Sequence, residues 1–205
     1  YLGLFFALLC GLAAFAGRFY LAGSFLFISG GLDLMDGAIA RLSKKADSFG
    51  GILDSTLDRY GDGFIFSGMI FYYFERQRIV CGLFAVSALL GSFVISYVRA
   101  RSECVIAKCK VGFWERGERI VYIGMGMLMG NVTAALIVLG IGTHMTALYR
   151  LSHAREITKH GTPGHSSRSS FIKDILFHSG GRSNMLYLTK VTALALFLLI
   201  YKPNF

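Results

Sequence analysis

"GLDLMDGAIARLSKKADSFGGILDSTLDRYGDG", Gly31 to Gly63, sets Asp33, Asp36, Asp54, Asp58 and Asp62 beside runs as apolar as "YLAGSFLFISG". Asp33, Asp36, Gly37, Ala40 and Arg41 fall at i, i+3, i+4, i+7 and i+8, one stripe on one helical face. Asp54, Asp58 and Asp62 repeat every fourth residue and share a face of the next helix. "RLSKKADSFG" turns between the two, so antiparallel helices are expected to aim their acidic faces at one another. Asp33 lies eight residues from Arg41, roughly 12 Å along a helix axis. An unpaired carboxylate at that depth in lipid costs about 3 kcal/mol, and converging carboxylates repel one another. Hard divalent cations answer both problems. An all-oxygen donor set suits Mg²⁺ or Mn²⁺, whereas zinc would ask for His or Cys. The small residues Gly37, Ala40, Gly50 and Gly51 leave room beside the acids.

The surrounding chain is apolar. Its 205 residues are 54% hydrophobic and 16% charged, with mean hydropathy +0.56. Several runs approach the roughly 20 residues that cross a hydrocarbon core. They are continuous, which excludes the short alternating segments of a β-barrel. The fold class is therefore all-α, a polytopic membrane bundle of about six transmembrane helices. Periodicity and breakers predict helices over 1–16, 19–42, 50–74, 79–102, 118–129 and 132–151, with "GN" at Gly130–Asn131 turning between the last two. The fifth is short for a span. The chain opens inside an apolar run without a basic segment before it, so the first helix reads as truncated at its N-terminus, not as a signal peptide. Residues 1–155 form the membrane domain. Residues 156–184 read as a basic, polar cytoplasmic tail, and 185–205 as an extra apolar helix, transmembrane or interfacial.

The net charge of +9 points to membrane lipids as partners and not to nucleic acid, since no soluble basic domain accompanies it. Arg99, Arg101, Arg116, Arg119, Arg150 and Arg155 gather on the side that also holds Lys44 and Lys45, and Arg18, Arg76 and Arg78 stand on the other. That asymmetry makes the acidic side cytoplasmic. Cys10 and Cys81 sit in apolar runs as packing residues, and Cys104 and Cys109 lack the partners of a zinc set. His144 and His153 read as packing or interfacial residues, and Trp114 as an interface anchor.

The pattern D-x2-D-G-x2-A-R-x8-G-x3-D-x3-D is met at every position by Asp33, Asp36, Gly37, Ala40, Arg41, Gly50, Asp54 and Asp58. It resembles the signature of the CDP-alcohol phosphatidyltransferases. The resemblance implies transfer of a phosphatidyl group from a CDP-linked lipid, of the CDP-diacylglycerol type, to an alcohol with release of CMP. It implies two Mg²⁺ or Mn²⁺ ions held by Asp33, Asp36, Asp54 and Asp58, with Asp58 also the base for the acceptor hydroxyl. Gly37, Ala40, Arg41 and Gly50 would serve the CDP-lipid. Asp47 stands where close relatives carry a small hydroxyl residue, with Ser48 beside it. A homodimer is implied as well.

An acceptor bearing a phosphate needs a fixed cationic pocket, and Arg99, Arg116, Arg119 and Arg150 can supply one. The alternative role for such residues is headgroup anchoring. "SYVRARSE", "ERGER" and "LDSTLDRYGDG" resemble the phosphatidylinositol-phosphate and archaetidylinositol-phosphate synthase branch, so the expected acceptor is inositol 1-phosphate. Glycerol 3-phosphate is the runner-up. The alternative from another class is a cation transporter using intramembrane aspartates. It would leave Gly37, Ala40 and Arg41 unexplained. Asp62 is expected to bond Arg59 or a ligand aspartate.

Overall fold

The computed structural model describes residues 2–42, 48–106, 109 and 111–160; the side chains of 36–42, 48 and 160 are not among those described. Six helices follow in order: α1 Leu2–Phe15, α2 Phe19–Leu42, α3 Ser48–Glu75, α4 Ile79–Glu103, α5 Arg116–Leu128 and α6 Val132–His160. The turns fall where the breakers stand. Gly17 and Gly130 take φ of 76° and 69°, which a side chain would resist. Among the described residues there is no strand.

Helix α1 lies between α2 and α3 and packs on both; α3 continues onto α4, α4 onto α6, and α5 closes against α2 and α6. Helix α1 thus stands between much of α2 and α3, while their acidic faces still converge as expected, at Asp33 and Asp58. The wedge is possible because α1 presents Gly3, Ala7, Gly11 and Ala14 inward, and small residues at this spacing let backbones approach. A Cβ on Gly68 would strike the Gly11 carbonyl, and one on Gly11 would strike that of Phe64. The opposite face of α1 carries Leu8, Leu12 and Phe15 outward.

That inversion holds across the bundle. The interior holds Ala14, Ala22, Ala85, Ala88, Ala134 and Ala135 beside larger residues such as Met69 and Leu136, while Leu12, Phe71 and Leu83 are 57%, 63% and 57% exposed. A water-soluble core would bury the large side chains first. Large apolar residues outside and small ones inside suit a lipid surround. By length and composition, α4 and most of α6 are able to cross a membrane; α1 and the first part of α2 are apolar but shorter.

Three boundaries differ from the sequence expectation by two residues or more. Helix α3 begins at Ser48, two residues early. Helix α5 begins at Arg116, two residues earlier than expected, and α6 continues to His160, past the expected start of the polar tail. "EITKH" (156–160) is polar but contains no breaker, and the first Gly and Pro come only at 161 and 163. The remainder of the expected tail and the extra apolar helix, 161–205, lie outside the described residues.

Candidate active site

Asp33 on α2 and Asp58 on α3 meet at one cation, the guanidinium of Arg116 in the first turn of α5. Nη1 of Arg116 lies 2.9 Å from Asp33 Oδ2 and 3.0 Å from Asp58 Oδ1. Its Nε stands 3.6 Å from Asp62 Oδ1. Asp33 also rests against Gly3, where any side chain would collide with its carboxylate. The α1 wedge therefore has no side chain at the point where the α2 acid crosses toward α3.

Asp54 precedes Asp58 by one turn and is exposed. Asp36 follows Asp33 by one turn of α2, and its side chain, like those of Gly37, Ala40 and Arg41, lies outside the described ones. Asp47 lies wholly outside the described residues, and Gly50 is exposed in the first turn of α3. Among the described residues no three acidic, His or Cys side chains group closely enough to hold a metal ion. Asp33 and Asp58 nevertheless place one oxygen each within 3.0 Å of a single positive nitrogen. Their chemistry is carboxylate only, the donor set of a hard divalent cation.

The four arginines expected around an acceptor phosphate come from three elements and line one cavity of about 290 Å³. Arg99 is on α4, Arg116 and Arg119 on α5, and Arg150 on α6, with Asp58, Ser55 and Ser96 completing the wall. Arg119 and Arg150 are buried, at 4% and 1% exposure. Arg119 donates through Nη2 to Asp62 Oδ2 at 3.0 Å and through Nη1 to the Trp114 carbonyl at 3.2 Å. Arg150 donates through Nε to the Val111 carbonyl at 2.7 Å and through Nη1 to that of Ile95 at 3.1 Å. Nε of Arg119 and Nη2 of Arg150 are buried without a hydrogen-bond partner. Buried guanidinium nitrogens left over in a cationic cavity are donors suited to an anion.

The segment before α5 packs on α6 as a roof over Arg150, at the edge of this cavity, to whose lining it gives Glu115. Gly112 takes φ 100° there and lies against Thr146 and Arg150, so a side chain is excluded twice over. Trp114, expected at a membrane interface, is 6% exposed. It packs edge-on against Phe113 and Tyr122, at 4.9 and 5.3 Å between ring centres, over a face of α6 opened by Gly142. Asp62, expected to bond Arg59 or a ligand aspartate, bonds Arg119 instead, and Arg59 turns to Asp58 at 3.8 Å. Glu103 and Glu115 also line the cavity and did not stand out in the sequence, because nothing in their spacing marks them. His144 behaves as the packing residue expected, its Nε2 3.1 Å from the Ser87 carbonyl.

Comparison with known proteins follows this geometry. The chain is 39% identical over 142 residues to the archaetidylinositol phosphate synthase of Methanothermobacter thermautotrophicus, covering 66% of this chain and 70% of that one. The crystal structure of Mycobacterium tuberculosis phosphatidylinositol phosphate synthase with CDP-DAG bound superposes with TM-score 0.71 at 24% identity, over 81% of this chain and 88% of that one. The same enzyme in complex with manganese and citrate gives TM-score 0.69 at 24% identity, over 80% and 84%. The two superpositions show that the chain shares the fold of that synthase. The family model for CDP-alcohol phosphatidyltransferases matches residues 1–149, and the chain belongs to that family of transferases.

Proposed function

We propose that the chain transfers a phosphatidyl-type group from a CDP-linked lipid to inositol 1-phosphate, releasing CMP, at the cytoplasmic face of a membrane. The observation that carries the acceptor is the cavity in which Arg99, Arg116, Arg119 and Arg150 stand beside Asp58. A phosphate held by those guanidinium groups would keep its own alcohol within reach of the Asp58 carboxylate. Asp58 takes the proton of the attacking hydroxyl. The acceptor oxygen forms a bond to the lipid-bearing phosphorus, the bond from that phosphorus to the CMP oxygen breaks, and CMP departs with the electron pair. Gly37, Ala40, Arg41, Asp47 and Gly50 would line the CDP side of the site.

Asp33, Asp36, Asp54 and Asp58 would hold divalent cations, Mg²⁺ or Mn²⁺ and two in number. Cations there would supply neutralisation of the diphosphate charge that grows as the leaving bond lengthens. The carboxylate-only donor set fits them. So does the convergence of Asp33 and Asp58 on one positive centre. The same reading assigns residues 1–155 to catalysis, treats 156–184 and 185–205 as accessory segments, and takes the enzyme as a homodimer. The arginine asymmetry supports the cytoplasmic orientation.

The test is CMP release by the purified protein with CDP-diacylglycerol and with its ether-lipid counterpart, each against inositol 1-phosphate, glycerol 3-phosphate, inositol and serine, with and without Mg²⁺. Turnover is expected with inositol 1-phosphate and only with the metal. Preference for glycerol 3-phosphate would replace the acceptor, and preference for an unphosphorylated alcohol would dismiss the arginine cavity as a phosphate site.

A further inference from the structure

We infer that Asp62 is the positioning residue of the acceptor pocket, its carboxylate aiming the buried Arg119 of α5. The inference rests on the reading of that pocket as a phosphate site. Asp62 lies outside the acidic pattern that marks the family, one turn of α3 beyond Asp58, and is 5% exposed. Its Oδ2 accepts from Arg119 Nη2 at 3.0 Å, and its Oδ1 stands 3.6 Å from Arg116 Nε. The hydrogen bond is to Arg119; Arg116 Nε stands near without one. The Trp114 carbonyl takes a second nitrogen of Arg119 at 3.2 Å. With Nη1 and Nη2 both fixed, the guanidinium plane is fixed, and Nε is left as the unpartnered donor.

A carboxylate this deep is costly to keep and adds little net stability over an apolar pair. What it supplies is direction. Asp58 and Asp62 ride on one helix, roughly 6 Å apart along its axis. The group that takes the proton and the group that aims the phosphate clamp therefore move as one body. The enzyme would measure, with a single helical turn, the distance between an acceptor's phosphate and its reacting hydroxyl.

The experiment compares Asp62→Asn and Arg119→Lys with the unmodified enzyme in detergent, measuring kcat and KM for inositol 1-phosphate and KM for the CDP-lipid. Asp62→Asn keeps the shape and removes the charge. Its acceptor KM is expected to rise about tenfold, the loss of one charge-assisted contact, with kcat within about twofold and the CDP-lipid KM unchanged. Arg119→Lys keeps the ion pair but loses the fixed plane, and is expected to raise the acceptor KM similarly. The double variant should be no worse than either single one. An unchanged acceptor KM in Asp62→Asn would overturn the inference. So would a fall in kcat with both KM values shifted together, the mark of a structural role. Should Asp62→Asn not fold, Arg119→Lys decides alone: an unchanged acceptor KM there overturns the inference equally. Failure of the underlying reading shows separately, as an unmodified enzyme that turns over no phosphorylated acceptor.

Discussion

Replacing Arg150 with Met should loosen the segment that roofs it, before α5, ahead of any unfolding of the bundle. The side chain is 1% exposed and bonds two carbonyls, Val111 at 2.7 Å and Ile95 at 3.1 Å. Ile95 lies inside α4, so its carbonyl keeps its helical partner when the arginine is gone. Val111 lies in the segment before α5, next to Gly112 at φ 100°, and its bond to Arg150 ties that segment to α6. A buried carbonyl left without a donor costs about 1–3 kcal/mol. Met fills much of the volume, so the cavity penalty is small, and the expected loss is about 1–3 kcal/mol in all. Trp114, the chain's one tryptophan, reports the event from three residues away. Arg150→Met is expected to shift its emission to longer wavelength under folding conditions and to lower the midpoint of denaturation in detergent. Arg150→Lys, able to reach one carbonyl, should fall between. Unchanged emission and an unchanged midpoint in Arg150→Met would refute the assignment of Arg150 as the tie that holds the roof.

The other expectations concern chemistry and packing. Asp58→Asn should abolish CMP release while CDP-lipid binding persists in Mg²⁺, measured by equilibrium dialysis; appreciable turnover would remove Asp58 as the base. Chelation by EDTA should stop turnover, and either Mg²⁺ or Mn²⁺ should restore it where zinc does not, which a metal titration of CMP release decides. Gly68→Val drives a branched side chain into the Gly11 backbone and should cost at least ~2 kcal/mol by thermal denaturation. Gly63→Ala meets nothing within 4 Å on the same helix and should be neutral or better. Equal effects of the two would dissolve the argument for the α1–α3 crossing.

Local signals carried far in this chain because membrane helices announce themselves. α2 begins and ends where the residues predict, at Phe19 and Leu42, since "GR" precedes it and the charged sequence "SKKAD" follows. The acids could be placed on their faces from spacing alone. What spacing cannot contain is a partner 83 positions away, such as the one Asp33 finds in Arg116. Both residues were singled out, one for metal and one for phosphate, and nothing local joins them. Trp114 misled for a related reason. A tryptophan near a helix end suits an interface, and only the absence of a side chain at Gly142, 28 residues on, makes room for it inside. Spacing could bring the acids of α2 and α3 toward one another, but not reveal α1, whose small face lets it enter between the two helices.

The brevity of α5 has a consequence for where water ends and lipid begins. Its 13 residues rise roughly 20 Å, about 10 Å short of a hydrocarbon core. α6 runs on for another ten residues beyond Arg150, roughly 15 Å. Helix α5 thus falls short of a span, and the arginine cavity lies at its first turn, where Arg116 and Arg119 stand. Irregular backbone within a membrane survives only where protein satisfies it. Arg119 and Arg150, bonded to the carbonyls of Trp114 and Val111, do so for the segment before α5. On the function proposed above, a water-soluble acceptor would meet a lipid-borne diphosphate here without either changing phase.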